Sequence, residues 1–467
     1  MEPKQYLKLF LATRKPTGED KQALLEEFCS QEQYLDAASR ILALQDMLMK
    51  DFEKKNRIED IRRQQVLIPN GTVGKPYEAR LLPEQYGWQD MIAFRLEGVE
   101  ITGLVYDPAS GQLSGIPEQA GDHKLSLKYQ LEGDGATGTW QERLLTLIIN
   151  PDPRSLWKNR PSDKEDPYWK EDEITIAEKL GNKYLAVSSK RGRSHANTGG
   201  FRDDDFAFRY FSENGWSIVA VSDGAGSARF AREGARLACS AVVEFLGQQL
   251  MAGAFAEMDT LLTNAGAALD AEAQKKISHI VYHQLGGAAQ HAFRQLEQLA
   301  TTSGALLNDF HATLIFTLVK QYSQGYALLS FGVGDCPIAL LYNDLQSVSL
   351  MNKMDVGEFG GGTRFITLPE IFQSDSFAGR FGFKWVPDFN YLFLMTDGVY
   401  DPKFEVEANL EKPERWQAFL ADLKGNNAEN TAVALKPGNA DLPAQLSAWM
   451  DFWSPGNHDD RTLAILF

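Results

Sequence analysis

Apolar positions change their period along the 467-residue chain. Up to about residue 65 they recur at helical spacing: Leu24, Leu25 and Phe28, then Ile41, Leu42, Leu44 and Met47, with Lys and Glu alternating over the outer faces. Side chains three and four apart share one face of a helix, so residues 1–65 predict a small helical bundle or docking helices. From about residue 66 to 150 the period drops to two. Residues 77–81 and 124–129 alternate apolar and polar positions, as half-buried strands do. Gly and Pro between these runs mark tight turns. Residues 151–173 lose the period and gain Pro, Trp and mixed charge, which predicts an interdomain linker that Trp157 and Trp169 can pin to a neighbouring domain. From 174 to 467 short, wholly apolar runs appear at 216–221, 312–318, 327–331, 391–395 and 463–467, together with long helical patterns at about 231–250 and 275–299. Strand pairs alternating with helix pairs in one large domain predict an α+β architecture with helices packed over sheets.

Composition narrows the function classes. A net charge of −16 argues against nucleic acid or an anionic membrane as a partner. The three cysteines, Cys29, Cys239 and Cys336, lie far apart, with no CxxC pair and no disulfide framework. No apolar run approaches the roughly 20 residues of a membrane span, and the patch at 7–11 is too short for a secretory signal. The expectation is a soluble, cytoplasmic protein.

The candidate chemistry lies in aspartates at the ends of apolar strands. Asp223 follows Val219-Ala220-Val221-Ser222 and precedes Gly224. Asp335 follows Phe331-Gly332-Val333-Gly334. Asp397 follows Leu394-Met395-Thr396 and precedes Gly398. Asp459 stands before Asp460-Arg461-Thr462-Leu463. A carboxylate at a buried strand end is costly unless it is paired or binds a cation. Glycine after it lets the backbone carbonyl approach an ion. Four such positions in one domain describe a hard, oxygen-only site suited to Mg²⁺ or Mn²⁺ rather than zinc. His279 and His283, four residues apart on a predicted helix, have no carboxylate to complete an HExxH pattern and are expected to be surface or core histidines.

These aspartates and their neighbours resemble, in family order, the PPM/PP2C metal-dependent serine/threonine phosphatases of the bacterial branch. The matching pieces are Gly192-Arg193-Ser194-His195 leading to Asp203-Asp204-Asp205-Phe206; Ser222-Asp223-Gly224-Ala225-Gly226-Ser227 with Glu233-Gly234-Ala235; His311-Ala312-Thr313-Leu314; Val333-Gly334-Asp335; Thr396-Asp397-Gly398-Val399; and Asp459-Asp460-Arg461-Thr462. The resemblance implies a four-layer α-β-β-α sandwich over residues 174–467. It implies that Asp223 bridges two metals, that the Gly224 carbonyl binds the second, that Asp397 and Asp459 bind the first, and that Asp335 serves a weaker third site. Thr313 falls in the supporting motif with no chemistry assigned.

The first motif departs from the family. Gly200 stands where an arginine that grips substrate phosphate is common, so Arg193, His195 or Arg202 would have to serve. Asp204 is the favoured acidic metal residue there, with Asp205 second. Residues 66–150 resemble the immunoglobulin-like or cadherin-like modules of bacteria through Ser110-Gly111-Gln112-Leu113-Ser114-Gly115-Ile116-Pro117 and Ala120-Gly121-Asp122, which implies a β-sandwich for binding or spacing.

The function expected from the resemblance is hydrolysis of phosphoserine and phosphothreonine on proteins. Two Mn²⁺ or Mg²⁺ ions would lower the pKa of a water for in-line attack on phosphorus, with Arg193 or His195 at the phosphoryl oxygens and His195 or a water protonating the leaving oxygen. Expected partners are a phosphoprotein, a cognate Ser/Thr kinase by analogy, and a protein bound by the N-terminal domains. A catalytically weak relative acting as a phosphoprotein-binding or scaffold module is the alternative.

Overall fold

Wholly apolar strands need cover on both faces, and the computed structural model shows how they obtain it. It describes all residues except 16–17, 133–138, 266–267, 356–361 and 374. The chain forms two units, Met1–Leu156 and Trp157–Phe467.

The first unit begins with helices α1 (Pro3–Arg14), α2 (Gln22–Phe28) and α3 (Glu32–Arg63). Among the described residues the strands that follow are β1 (Gly71–Thr72), β2 (Tyr77–Arg80), β3 (Met91–Glu97), β4 (Leu104–Asp107), β5 (Gln112–Gly115), β6 (Gly121–Leu131) and β7 (Gln141–Asn150). They form a sheet of order β1-β7-β6-β3 and a sheet of order β2-β5-β4. The period-two pattern does what it predicts. On β7, Leu145, Leu147 and Ile149 enter the core while Leu144 and Ile148 face outward. Ile61 near the end of α3 joins the same core.

In the second unit the strands are β8 (Glu173–Leu180), β9 (Lys183–Lys190), β10 (Asp205–Phe211), β11 (Trp216–Ser222), β12 (Leu314–Tyr322), β13 (Gly325–Val333), β14 (Ile338–Tyr342), β15 (Ser347–Leu350), β16 (Phe381–Val386), β17 (Tyr391–Met395) and β18 (Arg461–Leu466). The helices are α4 (Arg193–Thr198), α5 (Ala231–Met251), α6 (Ala256–Ala265), α7 (Ala271–Ser303), α8 (Glu370–Gln373), α9 (Asp397–Phe404), α10 (Pro413–Leu423) and α11 (Leu442–Met450). Two antiparallel sheets, β10-β11-β12-β13-β16 and β15-β14-β17-β18-β9-β8, face each other.

Three cores account for the continuous apolar runs. On β11, Trp216, Ile218 and Ala220 pack towards α5, α6 and α7, whereas Val219 and Val221 pack between the sheets. On β18, Leu463 and Ile465 pack against α9, α10 and α11, whereas Ala464 and Leu466 face the intersheet core. The result is the four-layer α-β-β-α sandwich. Burying each such Leu or Ile contributes about 1.5–3 kcal/mol, so alternation towards two apolar layers, not one, specifies the strands.

Residues 157–172, expected as a linker, are held within the second unit. Trp157 packs its ring at a tilt against His458, the Arg160 amide donates to the Ala196 carbonyl, and Lys170 reaches Asp205. Among the described residues no single helix is long and apolar enough to cross a membrane.

Candidate metal centre

One end of the sandwich gathers the strand-end aspartates. Asp223 leaves β11 and is clamped by Thr313, whose hydroxyl accepts the Asp223 amide at 2.9 Å and whose own amide donates to the Asp223 carbonyl at 2.8 Å. Ala312 forms an isolated bridge with Gly224. This is why β12 starts at Leu314 and not at 312: the two preceding residues are diverted to hold the 223–224 turn. A Cβ on Gly224 would lie 2.6 Å from the Asp203 carbonyl, so only glycine lets this backbone pass so close to the loop before β10. Asp397 is the first residue of α9, Asp335 lies in the turn after β13, and Asp459 stands two residues before β18. At the Asp397 corner a Cβ on Gly398 would run into the Asp460 carbonyl, which packs that corner against the last strand.

Asp204 is 1% exposed, and its Oδ2 accepts from the Thr396 hydroxyl at 2.8 Å and the Thr462 hydroxyl at 2.9 Å. Its Oδ1 is buried and meets no donor among the described residues, and the same holds for Oδ1 of Asp335 and Oδ1 of Asp397. Buried polar atoms normally find a partner, and three orphaned carboxylate oxygens in one cluster need a positive charge that the described side chains do not supply. Electrostatics agree. Burial, and then the charges of Asp397, Asp204, Asp459 and Asp335, hold the Asp223 carboxyl well above the usual range. Burial and then Asp459, Asp335 and Asp204 push Asp397 up to about 8. Asp459 and Asp335 are raised as well, chiefly by burial. Carboxylates this close cannot all ionise without a cation among them. The donors are oxygens throughout the orphaned set, so the residues fit hard divalent ions. The Cys336 thiol also lies within 4.8 Å of Asp223 and Asp335 ligand oxygens, but it is fully buried, its pKa is raised by that burial, and it contacts the Thr313 hydroxyl.

Not every expected residue joins this group. The Asp205 carboxylate turns to Lys170, whose ammonium donates to it at 2.8 Å and to the Asp204 carbonyl at 2.7 Å. A salt bridge with both side chains buried leaves Asp205 no lone demand for a metal. Asp204 and Asp205 are neighbours on an extended chain and so point to opposite faces. Arg193, on α4, donates to the carbonyls of Asp451 at 2.6 Å and Phe452 at 3.1 Å, just past the C-terminus of α11, where cations are favoured. Arg202 is fully buried and donates to the Glu171 and Asp204 carbonyls and to Ser189. Of the three basic candidates, Arg193, His195 and Arg202, it is His195 that turns to the acidic end. Its Nδ1 lies 2.9 Å from Asp460 Oδ2, and its Nε2 lies 3.8 Å from Asp203. Burial alone would lower its pKa, but Asp460 and Asp203 outweigh that and raise it to about 9.

Asp460 carries more than its place in the sequence suggested. Its carboxylate accepts the amides of Gly192 and Asp203 and bonds His195, so one buried side chain ties the start of the 192–203 loop, its end and its histidine to the last strand. The signal available in the sequence was an acid directly after a candidate ligand and directly before a strand. Asp203, pushed up to about 7 by burial and by Asp460, was likewise passed over.

A four-layer sandwich that closes a buried cluster of carboxylates at one end defines an oxygen-lined cation site. The sequence model of the protein phosphatase 2C family matches residues 191–451, and the chain belongs to that family. No curated protein sequence matches the chain. Among solved structures it is similar to a bacterial serine phosphatase (12% identity over 60% of this chain and 96% of that one, TM-score 0.35). It is also similar to the serine/threonine phosphatase Stp1 from Staphylococcus aureus (10%, 64% and 98%, TM-score 0.34). A third is the catalytic domain of the serine/threonine protein phosphatase PstP in complex with two manganese ions (13%, 63% and 98%, TM-score 0.33).

Proposed function

We propose that this chain hydrolyses phosphoserine and phosphothreonine monoesters on proteins, using two divalent cations, Mn²⁺ or Mg²⁺, held by Asp223, the Gly224 carbonyl, Asp397 and Asp459. Asp204 and Asp335 complete the set, the latter at a third, weaker position. The observation that carries the reading is the group of buried carboxylate oxygens without donors, in a cluster whose members raise one another's pKa. When bound, the ions supply Lewis acidity to the phosphoryl group and to the attacking water.

The chain's own residues do the rest. Asp204, fixed by Thr396 and Thr462, presents its free oxygen at a set position without rotamer freedom. His195 bonds the Asp460 carboxylate, which favours its protonated form, and in this reading it donates to a phosphoryl oxygen or to the departing alkoxide. Arg193 supports the loop rather than the phosphate in this reading. A cytoplasmic location belongs to the proposal. All three cysteines are free thiols buried in the fold, as a reducing compartment leaves them. So do an immunoglobulin- or cadherin-like character for residues 66–150, a protein partner for the first unit and a cognate kinase as the opposing activity.

The test is turnover. Purified protein with Mn²⁺ or Mg²⁺ is expected to release phosphate from a phosphoserine or phosphothreonine peptide, and chelation to stop it. Metal binding without turnover by the intact protein would sink the enzymatic reading and leave a phosphoprotein-binding module.

A further inference from the structure

The middle of α3 stands largely in solvent. Its first turns are covered through Tyr34, Leu35 and Ala38, which pack with residues of α1 and α2. Its last turns are tied to the strands, where Ile61 is buried and Arg57 donates two hydrogen bonds to the Asp90 carboxylate. Between these anchors residues 43–53 are all exposed. A helix that crosses solvent is ordinarily polar all round. This one carries Ile41, Leu44, Leu48 and Phe52 at three- and four-residue spacing along one stripe, with Leu48 63% and Phe52 61% exposed. With Met47 and Met49 on its borders the stripe presents about 600 Å² of apolar surface, at the upper limit of what monomers leave bare.

We propose that a second copy of this chain covers the stripe, the two α3 helices packing antiparallel about a two-fold axis near Gln45 and Asp46. Charge sets the direction. Glu32, Asp36 and Asp46 lie on the far side of the helix, but Arg40 and Asp51 flank the stripe on one side, six residues below and five above its midpoint. An antiparallel pair brings each Arg40 to the partner's Asp51, and a parallel pair keeps them apart. The register follows from the stripe. Ile41 meets Phe52, Leu44 meets Leu48, and Arg40 and Asp51, on the same flank, face each other twice by symmetry. Arg40 pairs with Asp36 of its own chain at 3.0 Å, but both side chains are exposed, and such a pair is weak enough to exchange.

Area sets the strength. Two stripes together bury about 1,200 Å², the lower bound of a specific interface. The pair is therefore a reversible dimer, helped by a helix that is already ordered by packing at both ends.

The experiment is sedimentation velocity of the full chain between about 1 and 100 μM, with an expected monomer–dimer Kd of about 1–30 μM. Leu48→Glu changes a side chain that is exposed in the monomer. It should leave the circular-dichroism melt unchanged and raise Kd at least about 100-fold. Arg40→Glu or Asp51→Lys alone should raise Kd about tenfold, and the two together should restore it, which only the antiparallel register allows. A chain that stays monomeric at about 100 μM, or a dimer indifferent to Leu48→Glu, overturns the proposal. So does a double charge swap that fails to restore a dimer the single swaps weakened.

Discussion

The acidic end of the second unit and the segment leading into it, residues 190–205, treat charge in opposite ways. At the acidic end carboxylates crowd together, and oxygens of Asp204, Asp335 and Asp397 meet no donor. In the leading segment the arginines turn their donors into the fold, although Arg202 Nη2 is buried without an acceptor among the described residues. Arg191 donates to the Gly200 and Arg160 carbonyls, Arg193 to those of Asp451 and Phe452, and Arg202 to those of Glu171 and Asp204. The difference separates a surface built to receive cations from a collar that holds it in shape. Basic residues near a phosphate site are not thereby phosphate ligands. What counts is whether their donors are already committed.

That contrast can be broken by substitution. The largest effect is expected at the acidic end. Asp223→Asn and Asp397→Asn should each lower kcat/KM on a phosphopeptide at least about 1,000-fold with Mn²⁺ present. In chelator the same variants should melt a few degrees higher than the parent, because an amide avoids both the repulsion and the proton uptake that burial imposes on the carboxyl. Undiminished turnover in either variant removes the assigned centre.

His195→Gln should lower kcat about 100-fold, the usual scale of a positioned proton donor, with a smaller change in KM. Equal loss from Asp460→Ala would place both residues in one unit, since Asp460 bonds the ring.

Arg193→Ala should change kcat/KM less than about tenfold and instead lower stability by about 1–2 kcal/mol through two lost hydrogen bonds to carbonyls. A thousand-fold loss of activity with an unchanged melt would make Arg193 a phosphate ligand and erase the distinction.

The smallest effect is on the metal-free fold. Asp203 at about 7 and Asp397 at about 8 lie above the unfolded carboxylate value of about 4. The folded state therefore binds more protons than the unfolded state between those limits, and its stability falls as pH rises through that window. In chelator the protein should melt a few degrees higher at about pH 5.5 than at about pH 8, and Mn²⁺ should abolish or reverse the difference. A metal-free melt that rises with pH instead would show that the cluster does not repel itself.

Much of this arrangement could be read along the chain. The period-two strands after residue 66 and the wholly apolar runs from 216 onward declare how many of their faces are buried, whereas the helical period before residue 65 does not, since Leu24, Ile41, Leu44 and Met47 stay exposed. Asp223, Asp335, Asp397 and Asp459 declare themselves because a charge at the end of a buried strand has to be compensated. The first motif was less legible. Asp204 and Asp205 look alike in sequence, yet the one accepts two threonine hydroxyls and keeps an oxygen free, and the other is paired with Lys170, 35 residues upstream. Arg193 offers the charge expected of a phosphate ligand, yet its carbonyl acceptors lie 258 and 259 residues away.

The sequence by itself determined the layers of the second unit and the acids at its strand ends, because both follow from local rules: side-chain period, and the penalty for burying a charge. Only the tertiary structure decided which charges are already satisfied. Whether a donor is committed depends on partners brought close from distant parts of the chain, and no local pattern records them. The antiparallel stripe on α3 combines the two. Its period is visible in residues 41–52, but that it stays uncovered between two anchored ends is a fact of packing.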